Sequence, residues 1–315
     1  MYRAGIDLGG TNIKVGLVDE QNQMIDKASR KTRVERPYTE IIKDMAEMIQ
    51  DMAAKWKLPL KELSGIGIGS PGTIDAISGQ VLYSNNFDWE RVPVVEELGH
   101  YFDCPIAISN DANCAALGEV KAGAAREYNN AILLTLGTGV GGGIIINGRV
   151  FEGGHAGGAE LGHVNLIMGG EPCTCGRRGC IEAYVSATAL VRDTVRAAKA
   201  DSKSLLNQLC GPDLSRMNGK IPFDAAAMGD SAAKAVVEQY INYLGETITD
   251  YVNIFRPDVV LLSGGVCNQG RNLTDPINAY IRDKCFGREK AYIPEVICAT
   301  LGNDAGIIGA ACLTE

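Results

Sequence analysis

RAGIDLGGTNIKVGLV, residues 3–18, reads as a strand, a Gly9-Gly10-Thr11 turn and a second strand in which Ile13, Val15 and Leu17 alternate with polar or small residues. A Walker P-loop would need Lys-Ser/Thr opening a helix, and a Rossmann fingerprint would need a helix after the glycines; neither follows here. Glycines let backbone N–H groups approach a phosphate, and Asp7 at the strand end can hold a hydrated Mg2+. A plain tight hairpin ending in an aspartate accounts for the same residues. The theme returns in AILLTLGTGVGGGIIIN, residues 131–147, as strand, glycine turn (Thr138, Gly139, Gly141 to Gly143) and strand. Two glycine hairpins predict an internal duplication, and two such loops can grip the phosphates of one nucleotide.

Between and beyond these hairpins the chain alternates helices and strands. Thr39 to Trp56 has the apolar spacing of an amphipathic helix stopped by Leu58-Pro59. GIGIGSPG, residues 65–72, is a buried strand, and Thr73 to Trp89 reads as a polar loop containing Asn85 and Asn86, which turn chemistry alone would place there, a pocket lining being the alternative. PIAISNDANCAALGEV, residues 105–120, is a short strand ending at Asn110-Asp111 and opening into an alanine-rich helix. Asp111 is placed to cap that helix or to serve as a general base that orients an attacking hydroxyl and accepts its proton late. Ala183 to Ala200 and Ser231 to Phe255 are predicted long helices, with a surface connection from Asp201 to Phe223. DVVLLSGGV, residues 258–266, is a strand opening into Gly264-Gly265, either a strand-to-helix turn or a place for backbone to lie against an adenosine. Gly302 to Leu313 is a small-residue helix with Asn303 as its expected cap.

The densest chemistry lies in ELGHVNLIMGGEPCTCGRRGCIE, residues 160–182, with three cysteines, one histidine and two flanking carboxylates. Cys173, Cys175 and Cys180 stand as C-x-C-x4-C, and with His163 they make a tetrahedral Cys3His zinc set chemically reasonable. Such a closed shell is structural: it fixes a loop and leaves no position for water. Three buried, reduced cysteines in a glycine-rich turn is the alternative, weakened by the scarcity of apolar neighbours. A metal-fixed loop would hold Glu160 and Glu182 in defined positions suited to sugar hydroxyls, whereas surface glutamates would have no such order.

Composition narrows the class. The 315 residues suffice for two domains, and 46% hydrophobic with 22% charged residues is ordinary globular composition. A net charge of -8 without a Lys/Arg cluster argues against nucleic-acid binding. Apolar runs are of strand length and no signal-peptide core precedes the first strand, so a soluble cytoplasmic protein without a membrane partner is expected. Of the 10 cysteines, those outside the metal set are scattered, which fits reduced thiols better than a disulfide framework.

The set DLGGT (7–11), SNDAN (109–113), LGTGVGGG (136–143), ELGH (160–163), CTCGRRGCIE (173–182) and LSGGV (262–266) resembles the ROK family of sugar kinases, most closely its bacterial ATP-dependent glucokinases. The resemblance runs nearly end to end in the family's order, and the cysteine motif followed by glutamate is specific to it. It implies an α/β, two-domain actin/hexokinase-like (ribonuclease H-like) fold with mixed sheets and a cleft between domains. The expected smaller domain is 1–114 plus 301–315, and the larger is 115–300. It implies an ATP:hexose 6-phosphotransferase using ATP, Mg2+ and a structural zinc, with a homodimer or homotetramer expected. Asp111 would be the catalytic base. Asn110, Glu160, His163 and Glu182 would contact the sugar, joined by Gly72, Thr73 and Asn85. Asp7 (with magnesium through water), Gly9, Gly10, Thr11 and Lys14 would form the first phosphate loop, Gly137, Thr138 and Gly139 the second, and Gly264-Gly265 the adenosine contact. His163 would serve the metal through one ring nitrogen and the sugar through the other. Glucose phosphorylated at O6 is the expected reaction. Kinases of N-acetylmannosamine, N-acetylglucosamine or fructose are the rivals within the family. A sugar-responsive regulator is the rival outside catalysis, disfavoured because strand one is read as beginning at Arg3, with no winged helix before it.

Overall fold

The opening hairpin forms as the alternation dictates. β1 (Tyr2–Leu8) pairs antiparallel with β2 (Asn12–Val18), Asp7 opposite Lys14, and β2 pairs with β3 (Met24–Lys31). These strands belong to a computed structural model that describes residues 1–155, 157–211 and 213–315. The first helix, α1 (Tyr38–Lys55), buries Ile41, Ile42, Met45, Met48, Ile49 and Met52 along one face. After it come β4 (Leu63–Ser70), β5 (Thr73–Asp75), β6 (Gln80–Ser84), β7 (Trp89–Val92), α2 (Val94–Gly99), β8 (Ile106–Asn110) and α3 (Asp111–Lys121). Strands β4 and β8 add to β1 in parallel, so the first sheet runs β3-β2-β1-β4-β8. A mixed sheet of this order sends the carboxyl ends of three parallel strands to one edge, which is where ligands meet open α/β sheets.

The stretch 73–89, expected as a polar loop, is instead a small antiparallel sheet β5-β6-β7. Ile74, Val81, Phe87, Trp89 and Val92 join the main core there, Phe87 stacking on Trp89 at 4.7 Å. Three strands of three to five residues bury only every second side chain, so their apolar signal is thin.

The second hairpin is β9 (Ala131–Leu136) and β10 (Val140–Ile146), followed by β11 (Arg149–Val150). Beyond the cysteine loop come α4 (Glu182–Val185), α5 (Ala187–Ala200), α6 (Leu205–Cys210), α7 (Ile221–Ala227), α8 (Ser231–Phe255), β12 (Val259–Ser263), α9 (Arg271–Lys284), β13 (Glu295–Cys298) and α10 (Ala305–Ala311). The second sheet, β11-β10-β9-β12-β13, repeats the order of the first: hairpin, third strand, then two later strands on the far side. That repetition is the duplication the two glycine hairpins predicted. Three local expectations change. The helix expected from Ala183 breaks at Ser186, whose side chain accepts Ala189 N–H and starts α5 afresh. The connection 201–223 contains α6. Asn303 does not cap the last helix; it lies in the 3-10 turn Gly302–Asp304, and Asp304 stands at the cap. Among the described residues no helix is long and apolar enough to cross a membrane.

The chain divides into two compact units: Met1–Leu133, Gly143–Ala159 and Thr300–Glu315 in one, Leu134–Gly142 and Glu160–Ala299 in the other. The first therefore extends past the expected boundary at residue 114, because α3 is clamped by α10 and by the chain just before it. Glu119, fully buried in α3, accepts Leu301 N–H at 2.7 Å, Ala124 N–H at 2.8 Å and Thr300 N–H at 3.0 Å. Backbone meets backbone beside it: a Cβ added at Gly309 would stand 1.7 Å from the Cys114 carbonyl oxygen, and one at Gly67 1.6 Å from that of Ala310. Helix propensity alone favours Ala over Gly by about 1 kcal/mol. Gly309→Ala nevertheless has to push two helices apart, and we expect it to destabilise the protein by about 3 kcal/mol, the upper end of overpacking costs. An unchanged or raised midpoint in thermal or urea unfolding would show that the interface yields.

Candidate active site

In the first unit, register builds the site. Asp7 on β1 lies beside Gly69 on β4, and Gly69 beside Ser109 on β8, with Ser70 beside Asn110. Asp7, Ser109, Asn110 and Asp111 thus share the carboxyl edge of three parallel strands. The glycine turn is closed by Gly9 N–H donating to the Asn12 carbonyl at 3.0 Å and braced by Thr32, whose hydroxyl donates to the Gly9 carbonyl at 2.5 Å. Lys14 Nζ sits 2.7 Å from Asp7 Oδ2, and Asn86 abuts Gly10.

Asn110, not Asp111, caps α3: its side-chain oxygen accepts Ala112 N–H at 2.9 Å while its amide donates to the Gly72 carbonyl at 3.3 Å. That frees the Asp111 carboxylate, which accepts one local bond from Ala112 N–H, and it ties the cap to the loop expected to meet the sugar. Gly72 has φ 110°, and a Cβ there would stand 2.2 Å from the Tyr83 carbonyl oxygen, so this turn admits only glycine. Thr73 opens β5, and Asn85 is exposed just after β6. The Asp111 side chain reaches solvent, yet crowding by protein raises its pKa above the ordinary carboxylate value. The negative charge of Asp7 pushes it the same way, against the Ala112 hydrogen bond.

In the second unit, Gly137 N–H donates to the Gly139 carbonyl at 3.0 Å, and the Gly137 carbonyl accepts from Ala187 N–H at 2.9 Å, which ties this loop to the start of α5. Gly264 lies against Leu136, and Gly265 faces open space. Glu182, the first residue of α4, accepts Val140 N–H at 3.1 Å beside Gly139 and the Thr174 hydroxyl at 2.7 Å. Glu160 precedes the 3-10 turn Leu161–His163 and accepts His163 N–H on its carbonyl at 3.1 Å.

The cysteine loop brings its donors together. His163 Nδ1 lies 3.6 Å from Cys173 Sγ, Cys175 Sγ lies 3.7 Å from Cys180 Sγ, and all four ligand atoms fall within 4.8 Å of one another. Zinc bonded tetrahedrally at about 2.3 Å to sulfur and about 2.05 Å to nitrogen requires edges of about 3.8 and 3.6 Å. The donor set therefore fits zinc in kind, and two of its edges match that spacing, the other pairs lying within 4.8 Å. Arg177 donates to the His163 carbonyl at 2.9 Å and Cys173 N–H to the Arg177 carbonyl at 2.9 Å, so the loop is also bonded to itself.

The ROK family profile spans residues 3–315. The chain belongs to the ROK family. Among relatives of this ROK protein, the glucokinase of Thermotoga maritima is 38% identical over 312 residues, covering 99% of this chain and 96% of that protein. The glucokinase of Halalkalibacterium halodurans is 34% identical over 315 residues, covering 100% and 95%. A solved ROK family glucokinase from Streptomyces griseus, in complex with glucose and AMPPNP, superposes with a TM-score of 0.78 at 32% identity over 99% of both chains. The fold is the mixed-sheet, two-domain actin/hexokinase-like fold of ROK sugar kinases.

Several contributors escaped the sequence reading of this ROK protein. Thr32 is a lone threonine at a strand end, with no signal to find it. Thr174 stands between two motif cysteines and was passed over for them. Ser109 and Glu152 share a hydrogen bond beside Asn110, with Asn113 donating to Ser109 at 3.4 Å; the 43-residue separation of that pair left nothing to read.

Proposed function

We propose that this ROK enzyme transfers the γ-phosphoryl group of ATP to O6 of D-glucose. The observation that carries the reading is one chain holding both Asp111 beside the Asp7–Thr11 turn and the Glu160, His163 and Glu182 set around a metal-ligand cluster. Full-length likeness to glucokinases supports glucose as the acceptor.

Asp111 aims the O6 hydroxyl and accepts its proton as the O6–phosphorus bond forms and the bond to the leaving ADP oxygen breaks. Transfer passes through a loose transition state, so positioning and charge neutralisation do most of the work. A carboxyl raised above the ordinary range is a stronger base than an exposed aspartate. Asn110 contacts the sugar next to the reacting hydroxyl, with Gly72, Thr73 and Asn85 lining its loop. The turn of Gly9, Gly10 and Thr11, with Lys14, and the turn of Gly137, Thr138 and Gly139 offer backbone N–H groups to phosphates, and Gly264-Gly265 meets the adenosine. Asp7 would hold magnesium through water, the ion neutralising charge on the phosphates. His163, Cys173, Cys175 and Cys180 would hold a zinc ion that fixes the loop, since four protein donors leave no open position. With Nδ1 toward the cysteines, His163 keeps Nε2–H for a sugar hydroxyl. Glu182 already accepts three hydrogen bonds, from Val140 N–H, the Thr174 hydroxyl and the Cys173 thiol, but a carboxylate has about four acceptor positions, so a hydroxyl donor can still be taken.

Glu160, His163 and Glu182 are suited to any hexose, so a panel of sugars in a coupled ADP-release assay is the test. Glucose should give the highest kcat/KM. Sugars lacking a paired hydroxyl should fall by about 10^4-fold, because they leave the site's hydrogen-bonding groups unpaired once the sugar covers them. A higher kcat/KM for N-acetylmannosamine, N-acetylglucosamine or fructose overturns the choice of sugar, and no turnover of any hexose overturns the kinase.

A further inference from the structure

Helix α8 carries Tyr240 and Tyr251 eleven residues apart, three turns and nearly the same face, separated by about 16 Å of helix. Both are almost wholly buried, at 3% and 2% exposure. Tyr251 donates its hydroxyl to the Leu161 carbonyl at 2.5 Å, inside the turn that carries Glu160 and His163. Tyr240 donates to the Val185 carbonyl at 2.8 Å, at the end of the short helix that Glu182 opens. A third tyrosine of α8, Tyr243, packs on Tyr184 at 4.9 Å between ring centroids, and the Tyr184 oxygen accepts Glu171 N–H at 2.6 Å where the cysteine loop begins.

Phenylalanine would fill the same core volume without the cost of burying a hydroxyl, so the hydroxyls call for a reason beyond packing. Tyr240 supplies a donor to the Val185 carbonyl, Tyr251 gives the Leu161 carbonyl a bond much shorter than the 3.4 Å one it accepts from Val164 N–H, and each fixes one end of the segment that presents Glu160, His163 and Glu182. We propose that Tyr251 and Tyr240 are positioning residues: α8 acts as a rigid template that sets the spacing of the sugar-holding groups, with Tyr251 indexing Glu160 and His163 and Tyr240 indexing Glu182. This rests on the sugar-kinase reading above. Neither hydroxyl bonds a metal ligand or a phosphate turn, and the link to the Gly137 turn runs only through Ala187 N–H, two residues past Val185, so the larger effect falls on the sugar.

The test uses the full-length protein with Tyr251→Phe and Tyr240→Phe, and Tyr280→Phe as control, since that hydroxyl bonds Glu246 at 2.8 Å on an exposed surface. Tyr251→Phe and Tyr240→Phe should each raise KM for the accepted hexose about 5- to 20-fold and leave KM for ATP within about twofold. Hydrogen exchange of the 160–166 peptide in Tyr251→Phe should be about tenfold faster. Tyr280→Phe should change none of these. Equal rises in both KM values would mean general loosening and overturn the proposal, as would unchanged exchange at 160–166. If the wild-type chain turned over no hexose, the kinase reading would fail by itself, and exchange at 160–166 would still decide whether Tyr251 holds the turn.

Discussion

Asp111→Asn should lower kcat by about 10^2- to 10^4-fold while glucose still binds, the range that positioned base catalysis supplies. Asparagine keeps the shape and can still accept the Ala112 N–H bond, so only the proton acceptor is lost. The pH dependence gives a second signature. Crowding, then the Asp7 charge, holds the Asp111 carboxyl above the usual carboxylate value, and a carboxylate acting as general base works in its ionised form. The acid limb of kcat/KM should therefore lie above the ordinary aspartate range, with activity falling as pH drops through it. The linkage to stability runs the other way. A carboxyl raised in the native state binds more protons folded than unfolded, so its contribution to stability is lost as pH rises through the folded pKa. At neutral pH the asparagine variant should melt no lower than the wild type, which separates loss of chemistry from loss of fold. Near-normal turnover would end the assignment.

Removing the metal should have the next largest effect. Elemental analysis is expected to give one zinc per subunit, and chelation should lower the melting midpoint by about 5 to 10 °C while weakening sugar binding, because one ion serves both loop and site. Cys175→Ser is the informative variant. Cys175 is exposed while Cys180 is fully buried, so serine at 175 removes a ligand without opening a core cavity. ATP binding should survive in it. Active enzyme without tightly held metal would dispose of the zinc reading, leaving the self-bonded loop to stand without an ion.

How far the structure was legible depended on whether the signal was local. The glycine hairpins declare themselves in ten or so residues, and the cysteines and His163 are close enough in sequence for their ligand chemistry to be read off spacing. Asp111 was found for the right junction, though the capping role belongs to Asn110, a distinction that rests on which side chain turns back to Ala112 N–H. Residues 73–92 misled because their strands are short and half-exposed. α9 was missed because Pro276 and a polar surface hide the spacing of Leu273, Ile277 and Ile281, and β13 because four residues carry no pattern until Asn278 bonds both Val296 N–H and its carbonyl. Glu119 could not be foreseen at all. Its partners at Thr300 and Leu301 lie 181 and 182 residues away.

The clamp of α10 on α3 also orders events during synthesis. Residues 300–315 complete the unit that begins at Met1, and Arg3 is ion-paired with Glu315. A nascent chain leaving the ribosome can form its opening hairpin early, but the floor beneath β1, β4 and α3 arrives only after nearly three hundred further residues, with the second unit translated in between. Domains generally fold as units, the N-terminal one first, and this arrangement forbids that sequence. The Asp111 junction would spend translation half-assembled, with apolar sheet surface waiting for a partner that is still being made. Slow codons or chaperone engagement ahead of residue 300 should therefore affect yield of active enzyme far more than the same pause after it.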